Sequence, residues 1–171
     1  MDQRNTLERV FAYKAQANGE LLTTMQLLDE SSPAKEIAIR ILNHTYVVDR
    51  IFAANMNRVE HEYTSPNPIQ APSLEELTEA IKKSDHWYVE YVSRLDKTLL
   101  SESLDFTFTD GAPGRMTREE MLMHVTIHGE YHRGQIGLIM MQNSVTPPPD
   151  AFTGYLHNSE ASARRRISPS S

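Results

Sequence analysis

Residues 121–135 read Met121-Leu-Met-His124-Val-Thr-Ile-His128-Gly-Glu-Tyr-His132-Arg-Gly-Gln135, and they place three histidines at intervals of four. The preceding Thr117-Arg-Glu-Glu120 matches a capping box, which predicts a helix from there to about Asn143. An α-helix advances about 100° per residue, so a four-residue step returns a side chain to nearly the same face, one turn along. Two such histidines can share one cation.

Three further helices are predicted earlier in the chain by apolar residues at helical spacing and by local start signals. Their approximate bounds are residues 4–28, 33–61 and 73–100. Residues 64–72 carry three prolines and predict a long loop. Residues 104–114 alternate briefly and then turn, which predicts either a short hairpin or an extended linker. Because each helix has an apolar stripe to bury, the simplest all-α fold is a four-helix bundle.

A fourth histidine, His44, lies on the apolar stripe of the second helix and is predicted to point inward. Alone, such a residue is more often a hydrogen-bonded core histidine than a ligand. Several neutral imidazoles buried together leave lone pairs that need partners, and a divalent cation supplies one partner for all of them. His124 drifts about 80° around the helix from His132, so we interpret it as a neighbour of the site or a core residue.

A site with three protein nitrogens leaves at least one coordination position open, which is typical of catalytic rather than structural zinc. Zinc and nickel both suit imidazole, and zinc is our first prediction. The zinc-protease motif is ruled out because Gly129, not Glu, follows His128. Paired Glu-x-x-His motifs of di-iron bundles are absent from the sequence. Glycines at positions 129, 134 and 137 suggest a close approach of the second helix.

The composition fits one soluble domain of 171 residues, with 39% hydrophobic and 23% charged residues. We assign the bundle to residues 1–145 and a partly irregular C-terminal extension to residues 146–171. A formal charge of −6 argues against nucleic acid and anionic membranes as partners. The absence of cysteine excludes disulfides and a thiol nucleophile supplied by the protein. With no apolar targeting segment at the start, the expected location is the cytoplasm.

Two blocks of the sequence resemble the signature blocks of the DinB-like (DNA-damage-inducible, YfiT-like) family. They are Asn43-His44-Thr-Tyr-Val-Val-Asp49-Arg50-Ile51-Phe52 and His128-Gly-Glu-Tyr-His132-Arg133-Gly134-Gln135-Ile136. The first helix, with Tyr13-Lys-Ala-Gln-Ala-Asn18-Gly-Glu-Leu-Leu22, is also similar to that family's start. The resemblance implies a bundle with a long crossover between helices 2 and 3, and frequent homodimers. It also implies a divalent metal ion held by His44, His128 and His132, which agrees with the helical geometry.

These features predict a divalent-metal-dependent enzyme that acts on a small molecule as a thiol S-transferase or a hydrolase. The resemblance makes an external low-molecular-weight thiol a possible cofactor, which the lack of cysteine allows. Candidate acid–base helpers are Tyr46, Asp49, Glu130 and His124. The alternative is a non-catalytic metal-binding module that responds to stress or binds a ligand. DNA binding conflicts with the negative charge.

Overall fold

Four long helices and one β-hairpin dominate the structure, a computed structural model that describes residues 3–164, with side chains from residue 6 onward. The long helices are α1 (Gln3–Met25), α2 (Pro33–Asn57), α3 (Leu74–Arg94) and α4 (Arg118–Gln142). The smaller elements are a 3-10 turn (Lys97–Leu99), β1 (Ser103–Thr107), β2 (Pro113–Thr117), α5 (Phe152–Ser159) and α6 (Ala161–Arg164). The predicted all-α four-helix bundle is confirmed.

Each predicted start signal begins a helix through the expected hydrogen bonds. The Ser32 hydroxyl accepts from the Lys35 backbone N–H, with Pro33 at the first helical position. The capping boxes of Ser73 with Glu76 and of Thr117 with Glu120 both form. In each box, two backbone donors that the helix leaves unpaired find side-chain acceptors, so the bounds at these ends are fixed locally.

Two buried clusters determine the directions of the helices. One joins the starts of α1 and α4 to the ends of α2 and α3, through residues that include Phe11, Phe52, Tyr88 and Met121. The other joins the ends of α1 and α4 to the starts of α2 and α3, through residues that include Leu21, Leu42, Leu77 and Ile136. Since α2 and α3 therefore run in the same direction, residues 58–73 return along the length of the bundle. This is the long crossover that the resemblance implied.

Three predicted helix ends are too late. α1 ends at Met25 rather than Leu28, and α3 ends at Arg94 rather than near Leu100. α2 ends at Asn57 rather than near residue 61, because Arg58 adopts the left-handed conformation with φ 55°. Its N–H bonds to carbonyls of the last turn, which closes the helix without a glycine or proline to announce the end.

The segment after α3 is an antiparallel hairpin, so the first of the two predicted alternatives holds. Leu104 pairs with Met116, and Phe106 pairs with Gly114. The described part of the predicted C-terminal extension contains a proline-rich strap (residues 147–150) followed by α5 and α6. Residues 165–171 of that extension lie outside the described residues, and the division at residue 145 stays a prediction.

The glycines of α4 have different surroundings, and the expectation of a close helix α2 holds for only one of them. A Cβ on Gly129 would lie 3.4 Å from Arg133 of its own helix, 3.6 Å from Lys14 of α1 and 4.0 Å from Thr45 of α2, so α1 approaches this glycine more closely than α2 does. A Cβ on Gly137 would meet Pro147 of the strap at 3.5 Å instead. A Cβ on Gly134 would have no neighbour within 4 Å, so close packing does not explain that glycine. No described helix is long and apolar enough to cross a membrane.

Candidate metal centre

Three histidines from two helices converge between α2 and α4. His44 Nε2 lies 3.1 Å from His128 Nε2, and His132 Nε2 lies 3.0 Å from the same atom. One nitrogen from each ring lies within 4.8 Å of the other two. Nitrogens that share one ion at about 2.0–2.1 Å cannot be more than about 4.2 Å apart, and both short separations meet that limit. The structure therefore brings together the three residues that the sequence predicted.

Hydrogen bonds on the outer side of two rings fix their tautomers. His44 Nδ1 donates to the carbonyl oxygen of Pro66 in the crossover, at 3.0 Å. His132 Nδ1 donates to the side-chain oxygen of Gln135, at 2.7 Å. Because both partners can only accept, the proton of each neutral ring lies on Nδ1 and the lone pair lies on Nε2. Partners of this kind orient metal-binding histidines in proteins.

The inner nitrogens then lack enough protons to bond to one another. The lone pairs of His44 and His132 both face His128 Nε2, which carries at most one proton. At least one of the two short contacts is therefore a pair of lone pairs with no hydrogen between them. His128 Nδ1 is also buried without a partner among the described residues. A cation at the centre would satisfy all three inner lone pairs, so the donor set fits a divalent metal ion.

Burial favours the neutral form of the His128 and His132 rings, which is the form that binds metal. The pKa of His128 falls from 6.5 to about 3, first because of burial and then because of the neighbouring rings of His132, His44 and His124. Burial also lowers the pKa of His132, although the hydrogen bond to Gln135 opposes the change. At neutral pH the inner lone pairs of His128 and His132 are therefore available without competition from protons.

The other candidate residues lie around this centre but outside it. His124 stacks on His128 with ring centroids 5.3 Å apart and packs against Phe52 at 4.7 Å. Burial lowers the pKa of His124. Glu130 is exposed, and Tyr46 lines a different groove, between α2 and α3. Asp49 is buried in an ion pair with Lys14 and is occupied there.

Sequence reasoning missed a buried ionic cluster beside the histidines. Lys14 Nζ lies 2.7 Å from both Asp49 and Asp85, and Asn18 donates to Asp85 at 2.9 Å. Burial opposes the charge on Lys14, but the two carboxylates outweigh it and raise the Lys14 pKa. Burial raises the pKa of Asp49 to about 6 against the opposing effect of Lys14. The signal was a lysine on the apolar stripe of helix 1, where a charge needs a buried partner.

A bundle with a crossover between α2 and α3 and three convergent histidines defines a class of helical protein with a candidate metal centre. The chain belongs to the DinB family, whose model matches residues 1–166. Among solved structures, it is similar to the crystal structure of a DinB-like protein from Bacillus cereus ATCC 10987. The two are 22% identical, with a TM-score of 0.59 over 80% of this chain and 90% of that one. At that identity the likeness shows the fold alone. A search of curated proteins gave no match.

Proposed function

We propose that this chain is a divalent-metal-dependent enzyme that acts as a thiol S-transferase or a hydrolase, with His44, His128 and His132 as ligands. The supporting observation is that hydrogen bonds to Pro66 and Gln135 leave the Nε2 atoms of His44 and His132 unprotonated. Both of these atoms lie close to His128 Nε2. A bound divalent ion lowers the pKa of a coordinated water or thiol and so supplies a nucleophile at neutral pH. Zinc is the first candidate and nickel the second.

The part played by the chain itself is to hold the ligands and to border the site. Pro66 and Gln135 keep two rings oriented, and His132 is partly exposed at the edge of the centre. Ile127 and Tyr131 are more than half exposed beside the histidines, and the Tyr131 ring packs edge-on against His132 at 5.1 Å. The low-molecular-weight thiol, where one is used, would come from solution.

The second candidate is a non-catalytic metal-binding module, and one observation favours it. Of the four predicted acid–base helpers, Asp49 is occupied by Lys14, Tyr46 lines another groove and Glu130 is exposed. Only His124 remains close to the ligands. A site without a positioned base can bind a ligand more readily than it can catalyse proton transfer.

The ligand assignment is tested by elemental analysis of the purified protein. Wild type should carry about one divalent ion per chain, and His128→Ala should carry almost none. His86→Ala is the matched control, because His86 is exposed on α3 and far from the three ligands in the sequence. An unchanged metal content in His128→Ala would refute the assignment.

The reaction class is tested by assaying the metal-loaded protein with a thiol plus a chloro-aromatic electrophile, and separately with an aryl ester. Turnover that needs the thiol indicates an S-transferase, and ester cleavage without thiol indicates a hydrolase. Either activity should disappear in His132→Ala. Full metal occupancy with no turnover on a broad panel would favour the non-catalytic module.

We also propose that the chain forms a homodimer through the outer face of α4. This face exposes large apolar side chains at helical spacing, namely Met123, Ile127, Tyr131, Leu138 and Met141. Contiguous apolar patches of this kind mark interaction sites on soluble proteins. Light scattering should give twice the monomer mass for wild type, and Leu138→Lys should shift the mass towards the monomer. A monomeric wild type would overturn this proposal.

A further inference from the structure

The groove between α2 and α3 is built differently from the histidine site. It has a volume of about 720 Å³ and is lined by side chains of opposite charge together with aromatic rings. The residues that matter are Tyr46, Arg50, Glu79, Lys83, Ser84 and Trp87. Arg50 and Trp87 also line an adjoining groove of about 380 Å³ under the crossover. Cavities of this size accept small molecules.

Arg50 is the first sign that this groove binds a ligand. Its side chain is half-buried, yet no carboxylate of the described residues lies within 4 Å of its guanidinium. The carboxylate next to it in sequence, Asp49, points to Lys14 instead. A partly desolvated cation without a partner costs free energy, and a carboxylate can repay that cost through two parallel hydrogen bonds.

Ser84 is the second sign. It is 3% exposed, its hydroxyl has no hydrogen-bond partner, and it lines the same groove. Helical serines usually bond to the carbonyl one turn earlier, so an unpaired and buried hydroxyl is uncommon. A carbonyl or carboxylate oxygen in the groove would accept from it.

Opposite charges lie at the two ends of the groove. Arg50 and Trp87 line both this groove and the adjoining one, which places them at the same end. Glu79 lies two turns earlier on α3, about 12 Å along the helix axis, and Glu75 lies one turn beyond it. The carboxylate of Glu76 is already occupied by the capping box with Ser73, whereas that of Glu79 accepts from Lys82 at 3.1 Å in an exposed pair, which is weak in water. An anion alone would be repelled by the glutamates, and a cation alone would be repelled by Arg50.

We propose that this groove binds a short zwitterionic peptide-like molecule, with its carboxylate on Arg50 and Ser84 and its ammonium group on Glu79 and Glu75. An extended tripeptide spans about 10 Å, which matches the separation of the two charged ends. The middle of the ligand lies over Lys83, and its carboxylate end lies beside Trp87. This assignment uses none of the three histidines and does not depend on the metal centre.

Trp87 is the single tryptophan of the chain, so its fluorescence reports on the groove. Triglycine added to the full chain in EDTA should give a saturable change in fluorescence with a Kd below about 1 mM, repeated by calorimetry. Arg50→Gln should weaken binding about tenfold or more, and Ser84→Ala about threefold. Arg115→Gln removes the same charge from an exposed position on β2 whose partner is Asp105, outside the groove, and should bind like wild type.

Two single-charge probes test the zwitterion itself. N-acetyl-triglycine lacks the ammonium group and triglycinamide lacks the carboxylate, so each should bind about tenfold more weakly than triglycine. His132→Ala should bind triglycine like wild type, which separates this result from that of the metal assays. The proposal is overturned if triglycine does not saturate the signal by about 10 mM, if Arg50→Gln binds as tightly as wild type, or if either single-charge probe matches triglycine.

Discussion

The outer nitrogens of His44 and His132 determine what their inner nitrogens can do. Each outer Nδ1–H donates a hydrogen bond to an oxygen that can only accept, so the ring proton stays on Nδ1 and each inner Nε2 carries a lone pair. One of these oxygens belongs to Pro66 in the crossover, and the other belongs to Gln135, three residues after His132. The Pro66 contact could not be read from the sequence, because it depends on the path of a loop. The Gln135 contact follows from helical spacing alone.

At this scale we predict that Gln135→Leu weakens metal binding about 10–100-fold, because His132 loses the partner that holds its ring and tautomer. The measurement is a competition titration with a chromophoric chelator. Gln142→Leu is the matched control, since Gln142 is exposed at the last position of α4. An affinity for Gln135→Leu equal to that of the control would show that the hydrogen bond does not orient the ligand.

Among the elements, the helix starts were predictable and the helix ends were less so. Ser73 with Glu76, and Thr117 with Glu120, satisfy backbone donors within four residues, so the signal and the structure are equally local. The end of α2 depends on the left-handed conformation of Arg58, and no glycine, asparagine or proline at that position predicts it. The directions of the helices depend on buried clusters that join distant parts of the chain. Only the family resemblance allowed these directions to be predicted.

The glycines give a prediction at the same scale. Gly134→Ala should stabilise the protein by about 0.5–1 kcal/mol, because alanine favours the helix and its Cβ meets nothing within 4 Å. Gly114→Ala should destabilise it, because a Cβ in β2 would lie 2.6 Å from Phe106 Cζ and 2.8 Å from a ring atom of Phe108. Urea denaturation followed by circular dichroism measures both. Equal effects of the two changes would contradict this account of their surroundings.

Across the whole molecule, buried charged side chains form specific bonds between elements that otherwise contact one another only through apolar packing. Lys14 joins α1 to Asp49 of α2 and Asp85 of α3. Arg133 of α4 bonds to Asp150 of the strap at 2.6 Å, and the Tyr13 hydroxyl donates to the same carboxylate. The sequence contained these residues but not their pairing, because ion pairs between distant segments have no local pattern. Such pairs specify one arrangement of the helices more than they add stability.

Lys14→Met should lower the free energy of unfolding by about 3–5 kcal/mol, because Asp49 and Asp85 would be left buried together without a counter-ion. Lys82→Met is the matched control: Lys82 and its partner Glu79 are both exposed, so the change should stay within about 0.5–1 kcal/mol. Denaturant titration at neutral pH measures both variants. A cost for Lys14→Met as small as that of the control would mean that the cluster is not a desolvated ion pair.

The stability of the metal-free protein should depend on pH through His128. Its pKa is about 3 in the folded chain and about 6.5 in the unfolded chain. Between these two pH values the ring is protonated in the unfolded chain and neutral in the folded chain. The folded state therefore loses stability as pH falls from about 6.5 towards 3. Asp49 acts in the opposite direction, since its folded pKa of about 6 exceeds its ordinary value of 3.8. A comparison with a variant is therefore needed to isolate the histidine.

His128→Gln removes only the histidine contribution. In EDTA, the free energy of unfolding of wild type should fall by about 1 kcal/mol more than that of His128→Gln when the pH is lowered from 7 to 5. This is about half of the value that the full pKa shift would give, because the ring is partly solvated. His86→Gln, at an exposed position, should leave the difference unchanged. Because the neutral ring is the metal-binding form, the same burial of His128 that destabilises the metal-free bundle in acid keeps this ligand ready to bind metal at neutral pH. A pH-independent difference for His128→Gln would mean that the three rings are more hydrated than their packing indicates.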